Sequence, residues 1–404
     1  MINLRSVNYR FAQLFCLHNE NVMKNFATFT LSLLLVTGSC LATSRTVSNN
    51  PAQPAQFSTF AAAQSASVDG DTIQLQGSPF QYPSLTVTKR LVIIGSGYAP
   101  NNSFGHPTNV GDILLSRNAS INASGTTIMG LLCGNIGPEG SSLACDNITI
   151  MRNRFDNATI ALTLSNNPSG TYSKGWIIVN NIFRGRIDGG SSLFSPSATN
   201  ILFSNNIFIT QSINGFNSST VVIDHNIFLG ISAGGVLGSM YNVVVSNNIF
   251  SRSLGSVFDA SSASVVYSTF NNNLSNLTTI APSFYSPATD FANFVASVGG
   301  SNTGSSNIIG QNPLFTVNDN PDAYSTLDNY RLQPSSPGKN AGNDGTDLGI
   351  YGGAYPFPSG GAIGSGFDTR PMPPVPQVTD VNIQNPSLTP GTQLRVTIQA
   401  TVNN

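Results

Sequence analysis

Val243-Val-Val-Ser-Asn-Asn-Ile-Phe250 has four counterparts upstream: Ile148-Thr-Ile-Met-Arg-Asn-Arg-Phe155, Trp176-Ile-Ile-Val-Asn-Asn-Ile-Phe183, Ile201-Leu-Phe-Ser-Asn-Asn-Ile-Phe208 and Val221-Val-Ile-Asp-His-Asn-Ile-Phe228. The closing phenylalanines are separated by 28, 25, 20 and 22 residues. A degenerate sixth copy lies between Val265 and Leu274, in a register that the pattern leaves open. Each copy is a short β-branched run, then asparagine, then an apolar residue. β-Branched and aromatic residues favour strands, and asparagine breaks a strand because it tolerates left-handed backbone and bonds nearby main chain. Strand, asparagine corner and strand at this period make a coil, and stacked coils place each strand parallel to its counterpart at about 4.8 Å. The pattern therefore predicts a parallel β-helix with an internal ladder of Phe155, Phe183, Phe208, Phe228 and Phe250. Beside it should run an amide ladder of Asn153, Asn181, Asn206, Asn226 and Asn248. Length variation falls in the loops, as in other solenoids.

Outward from this core, Gly70-Asp-Thr-Ile-Gln-Leu75, Leu91-Val-Ile-Ile-Gly95 and Thr126–Leu132 read as earlier coils. Phe57–Gln64 is Ala-rich, and Phe57, Phe60 and Ala61 on one face of a helix would cap the open end of the stack. The fold class is thus all-β: a β-helix over 57–355, preceded by a linker over 43–56 and followed by a Gly/Pro-rich linker over 356–377. Over 378–404, the alternating runs Val378–Ile383 and Leu394–Ala400 flank Pro390-Gly391 and read as a β-hairpin, or the start of a further β module.

Residues 1–42 read as a leader. Signal character begins at Met23, a second candidate start, and continues through an apolar run from Phe26 to Val36 that is too short to span a bilayer. It ends in Cys40-Leu-Ala42, small residues of the kind a signal peptidase reads; lipidation at Cys40 is the minor alternative. Either route exports the chain, the second leaving it attached to the cell surface. The mature chain then keeps Cys133 and Cys145, which an oxidising compartment would pair across a Gly-rich loop, the alternative being two free thiols. No Cys/His spacing suggests zinc. Charged residues are only 9% of the chain, and 17 basic against 18 acidic residues give no excess to neutralise phosphates, which excludes a nucleic-acid partner. A surface of Asn, Ser, Thr and Gly suits a hydroxylated partner such as a polysaccharide or cell-envelope glycan.

The Asp69-Gly-Asp-Thr-Ile73 entry, the Asn-Asn-Ile-Phe core and the exit Tyr330-Arg-Leu-Gln-Pro-Ser-Ser-Pro337 with Asp347-Leu-Gly-Ile-Tyr-Gly-Gly353 resemble the pectate-lyase-like superfamily, in particular its secreted bacterial members. The resemblance covers roughly 57–355. It implies a right-handed parallel β-helix and, for the enzymes of that group, cleavage of polysaccharide by lyase or hydrolase chemistry, with calcium as the one ion to consider. A calcium lyase needs several acids on one strand face, yet the aligned column Met151, Val179, Ser204, Asp224 and Ser246 has a single acid. Hydrolysis needs two carboxyl groups about 5 to 9.5 Å apart, and no column supplies them. Asp344 and Asp347 superficially resemble a calcium turn but read as structural.

Asp224-His225, with Arg252 on the next turn, is the candidate catalytic group. His225 is either a general base or a ladder substitute bonded to the asparagines above and below. Arg152, Arg154, Lys174, Arg184 and Arg186, with Tyr172, are candidate substrate-binding residues if stacking brings them to one flank, where they would suit a uronate; Asp156 and Asp188 would partly neutralise them. Trp176 is either a sugar platform or core. The leading expectation is a binding or structural scaffold, and the alternative is a polysaccharide lyase or glycoside hydrolase.

Overall fold

The computed structural model describes residues 42–98, 106–140, 143–162, 171–190, 196–209, 213–230, 235–253, 256–258, 265–278, 301–318, 324–325, 328–357, 376–384 and 393–402. The expected leader, all but its last residue, and most of the linker over 356–377 lie outside these. The described chain is an all-β parallel β-helix whose coils each contribute to three sheets, with eleven, nine and eight strands among the described residues. The first sheet runs from Ser44–Val47 through Thr149–Met151, Ile177–Val179, Ile201–Ser204, Val221–Asp224 and Val244–Ser246 to Thr303–Ser305. The second holds Ile207–Ile209, Ile227–Gly230 and Ile249–Arg252, and the third holds Ile187–Asp188, Ile213–Asn217 and Leu237–Tyr241. The hairpin expected at the C-terminal end is present as Pro376–Ile383 antiparallel to Val396–Val402.

The paired asparagines do two different jobs at the corner between the first and second sheets. The first takes a left-handed backbone: φ is 56° at Asn180, 55° at Asn205, 58° at Asn247 and 53° at Asn272. Asparagine enters that region at little cost. In the same column Arg152 (φ 56°) and His225 (φ 53°) adopt it too, and Gly130 (φ 71°) does so one coil below Arg152. The second asparagine forms the ladder. Its Oδ1 accepts the main-chain N–H of its counterpart in the preceding coil: Asn181 from Asn153 at 2.9 Å, Asn206 from Asn181 at 3.0 Å, Asn226 from Asn206 at 2.9 Å and Asn248 from Asn226 at 2.9 Å. Its Nδ2 donates to main-chain oxygens of the first sheet, among them Ile150, Ile178, Phe203 and Ile223. Asn273 and Asn307 extend the ladder upward. The degenerate sixth copy thereby acquires its register: Phe270 pairs with Val245 in the first sheet, and Ser275 stands opposite Phe250.

The phenylalanine ladder stacks at ring separations of 4.7, 5.1, 4.8 and 4.7 Å, within 12° of parallel. These distances match the interstrand spacing, so one ring per coil fills the column. Val110 and Cys133 occupy it below Phe155.

Two boundaries differ from the sequence reading. Ser44–Val47 pairs in parallel with Thr72–Leu75, so the first rung lies inside the expected linker. The capping helix α1 spans Phe60–Ala66, not 57–64. Thr59 is its N-cap, its hydroxyl accepting from the Ala62 N–H at 3.3 Å, an arrangement threonine favours. Phe57 is extended and bonded to Thr46 and Ser48. The buried face is accordingly Phe60, Ala63 and Gln64, with Ala61 exposed.

Cys133 and Cys145 are buried free thiols, so the expected disulfide is not formed. The segment between them is not a single loop. It carries the third-sheet strand Ile136–Pro138, one side of a coil, which leaves Cys133 in the phenylalanine column and Cys145 at the corner entering the next first-sheet strand. Burial raises the Cys133 thiol well above its ordinary pKa and that of Cys145 to about 11. Both should therefore resist a thiol-specific reagent in the native protein and react only on unfolding; titration of native and denatured samples checks this. Asn206→Leu should lower the midpoint of chemical denaturation, because it strips partners from the buried Asn181 N–H and Ile178 carbonyl, at about 1–3 kcal/mol for each group.

Candidate functional site

The structure places the Asp224-His225 pair in the left-handed corner column, where the neighbouring coils carry Ser204-Asn205 and Ser246-Asn247. Asp224 closes a first-sheet strand with its side chain on the outside, and His225 makes the turn. Asp224 Oδ1 accepts from Ser246 Oγ at 2.7 Å and from Asn247 Nδ2 at 2.9 Å. His225 Nδ1 lies 2.7 Å from Asp224 Oδ2, which places a ring proton on Nδ1. Nε2 lies 3.2 Å from Thr346 Oγ1 and 3.6 Å from Asp344 Oδ2. The imidazole is 1% exposed.

What covers it is the exit segment, residues 338–357, which lies as a strap across five coils. The left-handed residues hold it rung by rung. Asn272 Nδ2 donates to the Ala341 carbonyl at 2.9 Å, and Asn247 Nδ2 to Asn343 Oδ1 at 2.8 Å. Asn205 Nδ2 donates to the Ile350 and Gly352 carbonyls at 2.9 and 2.8 Å, and Asn180 Nδ2 to that of Tyr355 at 2.9 Å. Beside this polar row Ile182, Ile207, Ile227 and Ile249 point away from the coil interior and are buried with Leu348, Ile350 and Phe357. Such burial contributes roughly 1.5–3 kcal/mol for each fully covered side chain. The strap closes tightly on the imidazole: a Cβ added at Gly353, where φ is 72°, would lie 2.7 Å from His225 Nδ1. Sequence reasoning missed this cover, although the Ile of each Asn-Asn-Ile-Phe was its signal. An outward apolar column repeated over four coils needs something over it.

Of the two roles open to His225, the arrangement matches the hydrogen-bonded substitute within a column of asparagines, extended by a bond to the strap. Arg252 does not join it. That residue stands opposite Gly230, five residues beyond His225 in register, or roughly 16 Å along the strand at the usual rise. It is itself buried, and burial lowers its guanidinium to about 10. Asp344 and Asp347 serve the strap's own turns. Asp344 Oδ1 accepts from the Thr346 N–H and hydroxyl at 3.0 and 2.8 Å, and Asp347 binds Lys339 Nζ at 2.7 Å.

Stacking brings Arg154 and Arg184 together but does not gather all the basic residues on one flank. Arg152 is in the corner column and Arg154 in the second sheet, while Arg184 and Arg186 lie where the second sheet gives way to the third. Lys174 and Tyr172 precede the first-sheet strand Ile177–Val179, across the coil. Arg154 and Arg184 share Asp156, at 3.1 and 3.9 Å, and Arg186 pairs with Asp188 at 2.5 Å. Trp176 is fully buried, its Nε1 donating to the Cys145 carbonyl at 2.8 Å, and is therefore core.

The outer face of the first sheet presents two columns that neighbouring coils keep in register. One reads Thr127, Thr149, Ile177, Leu202, Val222, Val244, Thr269 and is partly exposed throughout; the other reads Met129, Met151, Val179, Ser204, Asp224, Ser246, Asn271, of which Val179, Ser204 and Ser246 are buried. The register continues from Thr72 to Thr303, nine rung spacings or roughly 43 Å. Asp224 is the one ionisable residue in these columns. No family model matches the chain, and a search of curated proteins finds no relative. Among the described residues no helix is long and apolar enough to cross a membrane.

Burial by itself would raise the Asp344 carboxyl, but the two bonds from Thr346 and the nearby His225 outweigh it and the net shift is downward. A depressed carboxylate stabilises the folded state above its unfolded pKa, and that contribution disappears as pH falls through the folded value. Asp344→Asn should therefore lower the melting temperature modestly at neutral pH, the site being partly exposed, and the difference from wild type should vanish in acid. Melting curves of both proteins from neutral pH down to the acid limit check this.

Proposed function

We propose that the protein is an exported β-helix scaffold that lays the outer face of its first sheet along a neutral polysaccharide of the cell envelope or surroundings, without cleaving it. One observation carries the reading. The candidate acid–base pair Asp224-His225 is occupied in fastening the strap, while beside it runs a long, regular and uncharged column of threonine and aliphatic side chains, at least partly exposed from Thr72 to Thr303. A general base must reach the proton it removes, and His225 is covered by Thr346, Gly352 and Gly353. Asp156 and Asp188 partly offset Arg154, Arg184 and Arg186, three cations against two carboxylates, which lessens their pull on a uronate. A flat row of hydroxyl and methyl groups suits sugar rings, which offer hydroxyls at their edges and C–H groups on their faces. Export rests on the leader read from Met23, and the resemblance to the pectate-lyase-like superfamily agrees with a glycan partner.

The test is co-sedimentation of the mature chain with insoluble neutral glucans and chitin, alongside affinity electrophoresis in soluble neutral and acidic polysaccharides. Retention by a neutral glycan, reduced at least tenfold by the pair Leu202→Arg and Val222→Arg with the fold intact, is the expected result. Release of unsaturated products or new reducing ends would overturn the scaffold reading, as would retention indifferent to those two charges.

A further inference from the structure

We infer that a second, smaller site for the same class of ligand lies beside the strap: a pocket of about 310 Å³ that takes one neutral sugar unit. The inference rests on the scaffold reading and deepens it. The pocket lies between the last turn of the second-sheet strand Ile249–Arg252 and the antiparallel pair Phe315–Val317 and Asn329–Leu332. Its polar lining is Ser251, Ser253, Asn276, Asn312, Asn318 and Gln333, above Leu314 and Phe315. All six polar side chains are hydroxyls or carboxamides, so neither a cation nor an anion finds a counter-charge among them.

The register shows that this polarity is local. The outward column that reaches the pocket runs Ile209, Leu229, Ser251. Asn276 follows in the next coil, beside the pairing of Phe250 with Ser275. Two coils of aliphatic residues thus give way to a hydroxyl and an amide where the antiparallel pair passes overhead. A cover held only by packing would sit on apolar residues, as the strap sits on Ile227 and Ile249. Several of the lining groups are also part-used. Asn276 exchanges two bonds with the main chain of Arg252, at 2.9 and 2.8 Å. Asn312 Oδ1 accepts from the Leu314 N–H at 2.8 Å, and Gln333 Nε2 donates to the Phe315 carbonyl at 2.9 Å. An amide group carries two protons and two lone pairs, so each retains capacity toward the pocket. Asn318 Oδ1 is sheltered from solvent and has no hydrogen-bond partner among the described residues, and a sheltered acceptor of that kind calls for a donor. A sugar hydroxyl both donates and accepts, which suits a wall of mixed amide groups, while Leu314 and Phe315 offer an apolar floor to the ring.

The experiment is isothermal titration of the full chain with cellohexaose, chitohexaose and maltohexaose, repeated with Ser251→Leu, with Asn312→Ala and with the Leu202→Arg, Val222→Arg pair. Ser251→Leu continues the aliphatic column and closes the notch. Asn312 is exposed, so its substitution keeps the test sound if the leucine disturbs folding. The expected result is at least tenfold weaker binding of one hexasaccharide in both pocket variants at unchanged melting temperature. Wild-type affinity in both, while polysaccharide retention still depends on Leu202 and Val222, would overturn the pocket and leave the scaffold standing. Absence of glycan binding by the wild-type chain in every assay would overturn the scaffold reading and the pocket with it.

Discussion

A chain that turns a corner inside a dry stack exposes main-chain donors and acceptors that the strands on either side do not reach, and each must find a partner. The carboxamides of Asn153, Asn181, Asn206, Asn226, Asn248 and Asn273 supply both kinds of partner at once, coil after coil. Because each amide spans two neighbouring coils, the ladder sets register as well as satisfying the corner. Side chains alternate along a strand, so a one-residue slip would turn every isoleucine of Asn-Asn-Ile-Phe inward and every phenylalanine out. The stacked rings, the outer columns of the first sheet and the left-handed corner all inherit their alignment from that constraint.

The strap follows from the same alignment. With the phenylalanines held inward, Ile182, Ile207, Ile227 and Ile249 are committed to the outside and need a cover. With the preceding residue held left-handed, a column of amide side chains projects beside them and can fasten what covers them. Residues 338–357 meet both demands, aliphatic side chains over the isoleucines and main-chain carbonyls under the asparagines. His225 fits this column for the reason asparagine does. It tolerates positive φ and brings ring nitrogens that can serve two partners, here Asp224 and Thr346. In a chain with so few charged residues an isolated Asp-His pair looks like chemistry, yet here it is a fastening.

Paired arginines and a neutral outer sheet together describe a surface with little long-range field. Recognition on such a surface depends on shape and on matched hydroxyl and amide groups at short range. On the proposed glycan-binding reading, the long face and the pocket by Ser251 would offer that on two scales, one many sugar units long and one a single unit wide.

The repeated octapeptide by itself determined the parallel coil, the inward phenylalanine and the amide ladder, because these are properties of a single coil copied along the axis. The alternating runs around Pro390-Gly391 likewise determined the tail hairpin. The tertiary structure alone decided what lies against the outside of the coil. Nothing in the local spacing says that residues 338–357 return to cover His225, more than a hundred positions earlier, or that Arg252 falls at the far end of its strand. Nor does it say that Cys133 and Cys145 are separated by a side of the coil. Periodicity reports which face of a strand a residue occupies, whereas exposure depends on segments distant in sequence, and whether an ionisable side chain is a reactant or a bolt depends on exposure.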